Sequence, residues 1–157
     1  MSSTRIIEYY LRIVALVLAS TALAKVVSIS LTAPLLDRPD DLVGFLTLRQ
    51  VLLVAALLEI GVIRFLVEKR SAGDRLLAVA WLSTIFAAYR SGLRVVGHTG
   101  YCACLGSLPK LLGVGERYSD AVMFGILAFL IAGSYGGCAL LWRASRVSTP
   151  RTLRLEQ

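Results

Sequence analysis

Four runs of mostly apolar residues, at 13–36, 44–67, 76–96 and 121–142, occupy the greater part of the chain. Wound as helices at 1.5 Å per residue, runs of about 20 residues match the thickness of a bilayer's hydrocarbon core. A soluble domain of 157 residues keeps too much of its surface in water to hide four such runs. Composition points the same way. Hydrophobic residues make up 57% and charged residues 17% of the chain, against about 25% charged in ordinary soluble domains, and mean hydropathy is +0.73. A soluble enzyme, a disordered segment and a secreted disulfide scaffold all fit poorly. The runs do not alternate with the period of two that a barrel needs, whereas helices satisfy their own backbone groups in lipid. The expected fold is an all-α membrane protein: one four-helix transmembrane domain over residues 1–142 and a basic cytoplasmic tail at 143–157 with little fixed structure.

The net charge of +7 does not indicate nucleic acid, because the basic residues flank apolar runs as they do at membrane edges. Four spans put both termini on one side. That side collects Arg5, Arg12, Arg64, Lys69, Arg70, Arg75, Arg143, Arg146, Arg151 and Arg154, and the other collects Arg38, Arg49, Arg90, Arg94, Lys110 and Arg117. The excess places both termini in the cytoplasm and the loop between the third and fourth spans outside it. Arg5, Arg12 and the run that follows, with Ala22-Leu23-Ala24, imitate a cleavable signal peptide. The apolar stretch nevertheless continues past Ala24 to Leu36, so a retained first helix is expected.

Ionisable groups within a span are costly and ordinarily face the bundle with a partner. Thr21, Lys25, Ser28 and Thr32 follow spacings of four, three and four, which places them on one helical face. Glu59 lies near the middle of the neighbouring span, and a lysine stem covers the remaining offset. A Lys25–Glu59 ion pair is therefore expected, serving either to fix helix register or to line a polar cavity. Arg90, Arg94 and His98 recur at intervals of four at the end of the third span. They either snorkel to the headgroups or form a cationic wall that favours thiolate at Cys102 and Cys104. Gly125, Gly133, Gly136 and Gly137, with Ala128 and Ala132, are expected to lay small residues along one side of the fourth span, suiting close helix packing.

Between the third and fourth spans the chain reads His-Thr-Gly-Tyr-Cys-Ala-Cys-Leu-Gly from His98 to Gly106. Cysteines one residue apart can close a small, strained disulfide, and strained, exposed disulfides are the exchange-prone ones. Gly100 and Gly106 give the backbone room for an unusual turn, and an outward loop meets an oxidising compartment. Two other readings stand beside redox exchange. His98, Cys102 and Cys104 supply three ligands where a closed zinc site uses four, so no metal is expected. A purely structural disulfide constrains little of the unfolded chain when its ring is so small. Cys138 lies far along the fourth span and reads as a packing residue.

Taken together, Ala24-Lys25 in the first span, Glu59 in the second and Cys-Ala-Cys-Leu-Gly after the third resemble the MauE/DoxX group of redox-associated membrane proteins. The likeness runs over about residues 10–142. The MauE branch, named for methylamine utilisation, has a motif similar to Cys-x-Cys-Phe/Leu-Gly, here Cys102, Cys104, Leu105 and Gly106. The resemblance implies a helper in disulfide chemistry outside the cytoplasmic membrane. A thioredoxin-like periplasmic protein would be its partner and Cys102 and Cys104 the exchanging pair, an accessory role in thiol–disulfide oxidoreduction. Nothing in the residues points to methylamine itself. Passing electrons inward would need a second dithiol, and Cys138 is single, which leaves a quinone as the implied electron acceptor. Arg90 or Arg94 would then hold a quinone carbonyl, and Trp81 or Tyr89 would stack on the ring. The alternative is a non-enzymatic subunit, in an oligomer or a larger membrane complex, whose disulfide merely shapes a loop. A transporter built on Lys25 and Glu59 is a weaker third reading, since no broken-helix repeat is present.

Overall fold

The computed structural model describes residues 3–30, 34–68, 70–97 and 116–148. Among them the protein is all-α, with four helices each long and apolar enough to cross a membrane. It is a multi-pass membrane protein. The helices are α1 (Ser3–Ser30), α2 (Leu48–Val67), α3 (Ala72–Val95) and α4 (Glu116–Ser148), with a short 3-10 turn at Pro34–Asp37.

Local chemistry explains where the helices begin and end. α2 starts late relative to the apolar run at 44–67 because Thr47 caps it. The Thr47 hydroxyl accepts from the Gln50 N–H (3.4 Å), and the Gln50 side chain accepts from the Thr47 N–H (2.9 Å), a reciprocal capping box. Ser71 caps α3 by accepting from the Asp74 N–H (3.2 Å). That helix stops at Gly97, whose φ of +81° lets its N–H turn back onto the Arg94 carbonyl.

The other helices also depart from the apolar runs, α3 beginning at Ala72 rather than 76, and the largest departures are in α1 and α4. α1 is already helical from Ser3, where its buried stripe begins with Ile7 and Leu11, and it does not continue to 36, since Pro34–Asp37 is a 3-10 turn. Arg5, Glu8 and Arg12 are thereby drawn into the helix, and Glu8 is held by Arg75 of α3 (2.5 Å). α4 runs through Arg143 and Arg146 into the stretch expected to lack structure, with the Arg146 guanidinium 3.8 Å from the Trp142 ring centre. A cation one turn beyond an aromatic stabilises that last part of the helix.

α1 packs along α2, and α3 along α4. The buried face of α1 is led by a four-and-three alternation of Ile7, Leu11, Val14, Leu18, Thr21, Lys25 and Ser28, with Ala22 and Ala24 buried beside it. This is the seam of a left-handed helical bundle, and its chemistry changes midway. Up to Leu18 it is aliphatic and packs with Val62, Leu66, Leu76, Val79, Leu82 and Leu130 into one core. From Thr21 onward it is polar. The aliphatic half lies toward the termini, and the polar half toward the loop that joins α1 to α2.

The small residues of α4 do not share one face. A Cβ at Gly133 would run into the Tyr10 ring, and one at Gly137 would lie 2.9 Å from Leu76, whereas Gly125 and Gly136 have no neighbour on that side. Ala128 and Ala132 are exposed. Six small residues over that stretch span too wide an arc for a single contact. Gly133 and Gly137 are used inside the bundle, where Tyr10 lies over the helix and donates to the Leu130 carbonyl (2.9 Å). Cys138 is a free thiol packed against the core.

Candidate functional site

Where the seam of α1 turns polar, the four helices do not close on one another. They leave a cavity of about 230 Å³. Its walls are aliphatic and aromatic, from Leu18 and Leu52 to Phe86, Ile126 and Leu130, and its polar lining comes from Thr21, Lys25, Glu59, Tyr89 and Arg90. An apolar pocket with a few convergent polar groups is the usual form of a small-molecule site. α2 and α4 scarcely touch, and the cavity lies between them. Val54 lines it while remaining 49% exposed, so on this side the cavity reaches the outer surface of the bundle.

The expected Lys25–Glu59 ion pair is present. Lys25 Nζ lies 2.7 Å from Glu59 Oε1, and the two residues are 3% and 2% exposed. The Thr21 hydroxyl sits 3.1 Å from the same Oε1 and 3.1 Å from the Leu18 carbonyl, so its single proton serves one acceptor at a time. The Lys25 ammonium also lies 5.7 Å from the centre of the Phe86 ring, within cation–π range. Both donors converge on Oε1. Glu59 Oε2 is buried with no hydrogen-bond partner among the described residues. Ser28 continues the polar face by donating to the Ala24 carbonyl (2.8 Å), and Thr32 lies outside the described residues.

At the loop end the cavity is covered by residues 38–47, with Val43 and Leu46 in its lining. Asp40 organises this cover. It is 4% exposed, its Oδ1 accepts from the N–H groups of Leu42 (3.0 Å) and Val43 (2.9 Å), and its Oδ2 accepts from the Tyr89 hydroxyl (2.5 Å). The first two bonds are an Asx turn, and the third ties the loop to α3. Leu42 then lies on Gly92, where a Cβ would come within 2.9 Å of it.

Arg90 is buried and lines the cavity, whereas Arg94 is exposed and takes no part in it, so of the two uses expected of this face Arg94 is placed for snorkelling rather than for a wall shared with Arg90. The inward stripe of α3 runs Ser83, Phe86, Arg90, Leu93, so the step after Arg90 is three residues and Arg94 is carried past the seam. The two candidates for ring stacking also separate: Tyr89 lines the cavity, whereas Trp81 is 55% exposed on the outside of the bundle. His98, Cys102 and Cys104 lie outside the described residues. Among the described residues no group of three or more His, Cys, Asp or Glu could hold a metal.

The sequence alone does not single out Asp40 and Phe86 as site residues. Pro39-Asp40-Asp41 carries ordinary turn chemistry, and nothing local marks one of two adjacent aspartates as the buried one. Phe86, by contrast, stands four residues before Arg90 on the same stripe, a spacing that could draw attention to it. No family model, no curated protein and no solved structure matches the chain.

Proposed function

We propose that this chain supports thiol–disulfide exchange at the extracytoplasmic face of the cytoplasmic membrane, with a quinone taken from the bilayer as its electron acceptor. Both termini are then cytoplasmic, as the distribution of Arg and Lys favours. The observation that carries the reading is the cavity: a mainly apolar space of about 230 Å³, lined by Phe86 and Tyr89, with cationic Lys25 and Arg90 at its polar edge. Engineered cavities of about 150 Å³ accept benzene, so the space accommodates one substituted ring. It lies toward the end of the bundle at which α3 finishes, from which the chain runs on to Cys102 and Cys104.

In this reading the dithiol of a thioredoxin-like partner attacks the Cys102–Cys104 disulfide. A mixed disulfide forms and resolves, leaving the partner oxidised and the pair reduced. The pair then gives two electrons and two protons to the quinone and closes again. The net exchange turns one dithiol and one quinone into one disulfide and one quinol. Arg90 and Tyr89 orient the ring, the aliphatic walls exclude water, and the Asp40-pinned loop covers the site. The likeness to the MauE/DoxX group supplies the partner class, and any connection with amine metabolism rests on that likeness alone.

The test is alkylation of intact cells with a membrane-impermeant maleimide, before and after mild reduction. It is paired with dithiol-driven quinone reduction by the purified protein. The reading expects Cys102 and Cys104 to label only after reduction, and Cys102→Ser to abolish quinone reduction. Labelling without reduction, together with full activity in Cys102→Ser, overturns it and leaves a structural subunit of a larger membrane complex.

A further inference from the structure

A buried carboxylate oxygen with no partner is expensive, more so than a neutral group left unpaired. Glu59 is in this position: it is 2% exposed, Lys25 and Thr21 both address Oε1, and Oε2 is orphaned. Glu59 lines the cavity beside Thr21 and Lys25, Arg90 also lines it from α3, and the chemistry missing at Oε2 is a hydrogen-bond donor. Lys25 and Thr21 are both directed to Oε1, and the aliphatic side chains around the pair have nothing to give.

We infer that the cavity selects a ring bearing a hydroxyl, and that this hydroxyl donates to Glu59 Oε2. The occupant fitting this description is the reduced, quinol form of a lipid-soluble quinone. A phenolic hydroxyl donates strongly to a carboxylate, and the rings of Phe86 and Tyr89 line the same space. The oxidised form presents only acceptors, which sets carbonyl lone pairs against Oε2 and leaves it unsatisfied. Entry is from the bilayer between α2 and α4, past Val54.

The selection has a redox consequence that deepens the reading above and rests on it. Whatever binds the reduced member of a couple more tightly raises the potential of the bound couple. For a two-electron couple a tenfold preference corresponds to about 30 mV. The Lys25–Glu59 pair thus makes the bound quinone a stronger oxidant for the Cys102–Cys104 dithiol than the same quinone free in the membrane.

The experiment is equilibrium binding to the full chain in lipid nanodiscs of three short-tailed probes: a benzoquinol, its quinone and its dimethyl ether. Affinity is expressed per mole fraction of probe in the lipid, so that partitioning cancels. One charge-assisted hydrogen bond predicts that the quinol binds at least about tenfold more tightly than either of the others. The double variant Lys25→Met/Glu59→Met removes both charges together and should bring the ratios to about one. Ala55→Phe, which fills the cavity from α2 away from the ion pair, should abolish binding of all three.

Equal affinity for quinol and ether in the wild type overturns the inference, as does a preference that survives in the double variant. Binding of no probe overturns it as well, while the cysteine labelling still decides independently whether the pair is an outward-facing, labile disulfide. Selective quinol binding without dithiol-driven quinone reduction upholds the Glu59 site and removes the redox function.

Discussion

The Lys25–Glu59 pair permits a quantitative test of how dry the centre of this bundle is. Breaking a buried pair by removing one partner costs about 3–5 kcal/mol, because the remaining charge is left uncompensated. Both residues here are almost wholly buried, and their charged atoms are 2.7 Å apart. Lys25→Met and Glu59→Met should therefore each destabilise by about that amount. Replacing both should come within about 2 kcal/mol of the wild type, since a buried pair exchanged for apolar side chains of similar volume is often neutral or stabilising. The coupling energy from the cycle is then several kcal/mol. The assay is equilibrium unfolding of the four proteins in mixed micelles, followed by circular dichroism and by tryptophan fluorescence, with coincident transitions required before free energies are compared. Single-variant costs below about 1 kcal/mol with a coupling below about 0.5 kcal/mol would be the behaviour of a solvated pair. That result would refute the dry cavity, and with it the claim that an unpartnered Oε2 selects a ligand.

Other consequences follow from single contacts. Gly133→Ala drives a Cβ into the Tyr10 ring, so it should lower stability by about 1–3 kcal/mol in the same unfolding assay, while Gly136→Ala, with nothing on that side, should be near neutral. Tyr89→Phe removes the hydroxyl bound to Asp40 and should cost about 1.5–3 kcal/mol, with amide exchange accelerating in residues 38–47 and not in α4. In a Trp142→Phe background, brominated lipid chains should quench the fluorescence of Trp81 strongly, and Trp81→Phe should leave quinol affinity unchanged, because that side chain faces away from the cavity.

What the chain discloses before folding and what it withholds divide along physical lines. The helices are legible because apolar length is a property of one segment, and their ends depart from the apolar runs where caps and side-chain pairs decide them. Thr47 delays α2 behind its apolar run, and the Glu8–Arg75 contact draws charged residues into α1. The ion pair is legible because a charge within a span has few affordable states, so a lysine and a glutamate on neighbouring spans constrain each other before any geometry is known. The choice left open at Arg94 is the converse case. Steps of four and three both keep to a face, and only the packing of α3 shows that the seam takes three after Arg90. The cavity is legible only in part: its polar rim is one of the two uses expected of Lys25 and Glu59, but its volume is what side chains from four helices and a loop leave unfilled.

One feature of the seam nevertheless locates the cavity along the bundle. A left-handed bundle closes when each seam position carries a side chain that fills the facing hole. α1 does this with Ile7, Leu11, Val14 and Leu18 and then places Thr21, Lys25 and Ser28 at the next seam positions. Thr21 is too small to fill such a hole. The Lys25 ammonium is turned to Glu59 Oε1 on α2 and the Phe86 face on α3. The space opens beside these two seam positions, while Ser28 beyond them is fully buried and takes no part in the lining. A chain selected only for stability would continue the aliphatic seam to the loop. Restoring it with Thr21→Leu should lower quinol affinity, while the gain of up to about 2 kcal/mol from added buried aliphatic surface is offset by the lost donor to Glu59 Oε1. Undiminished binding would show that the opening at Thr21 serves the fold and not a ligand.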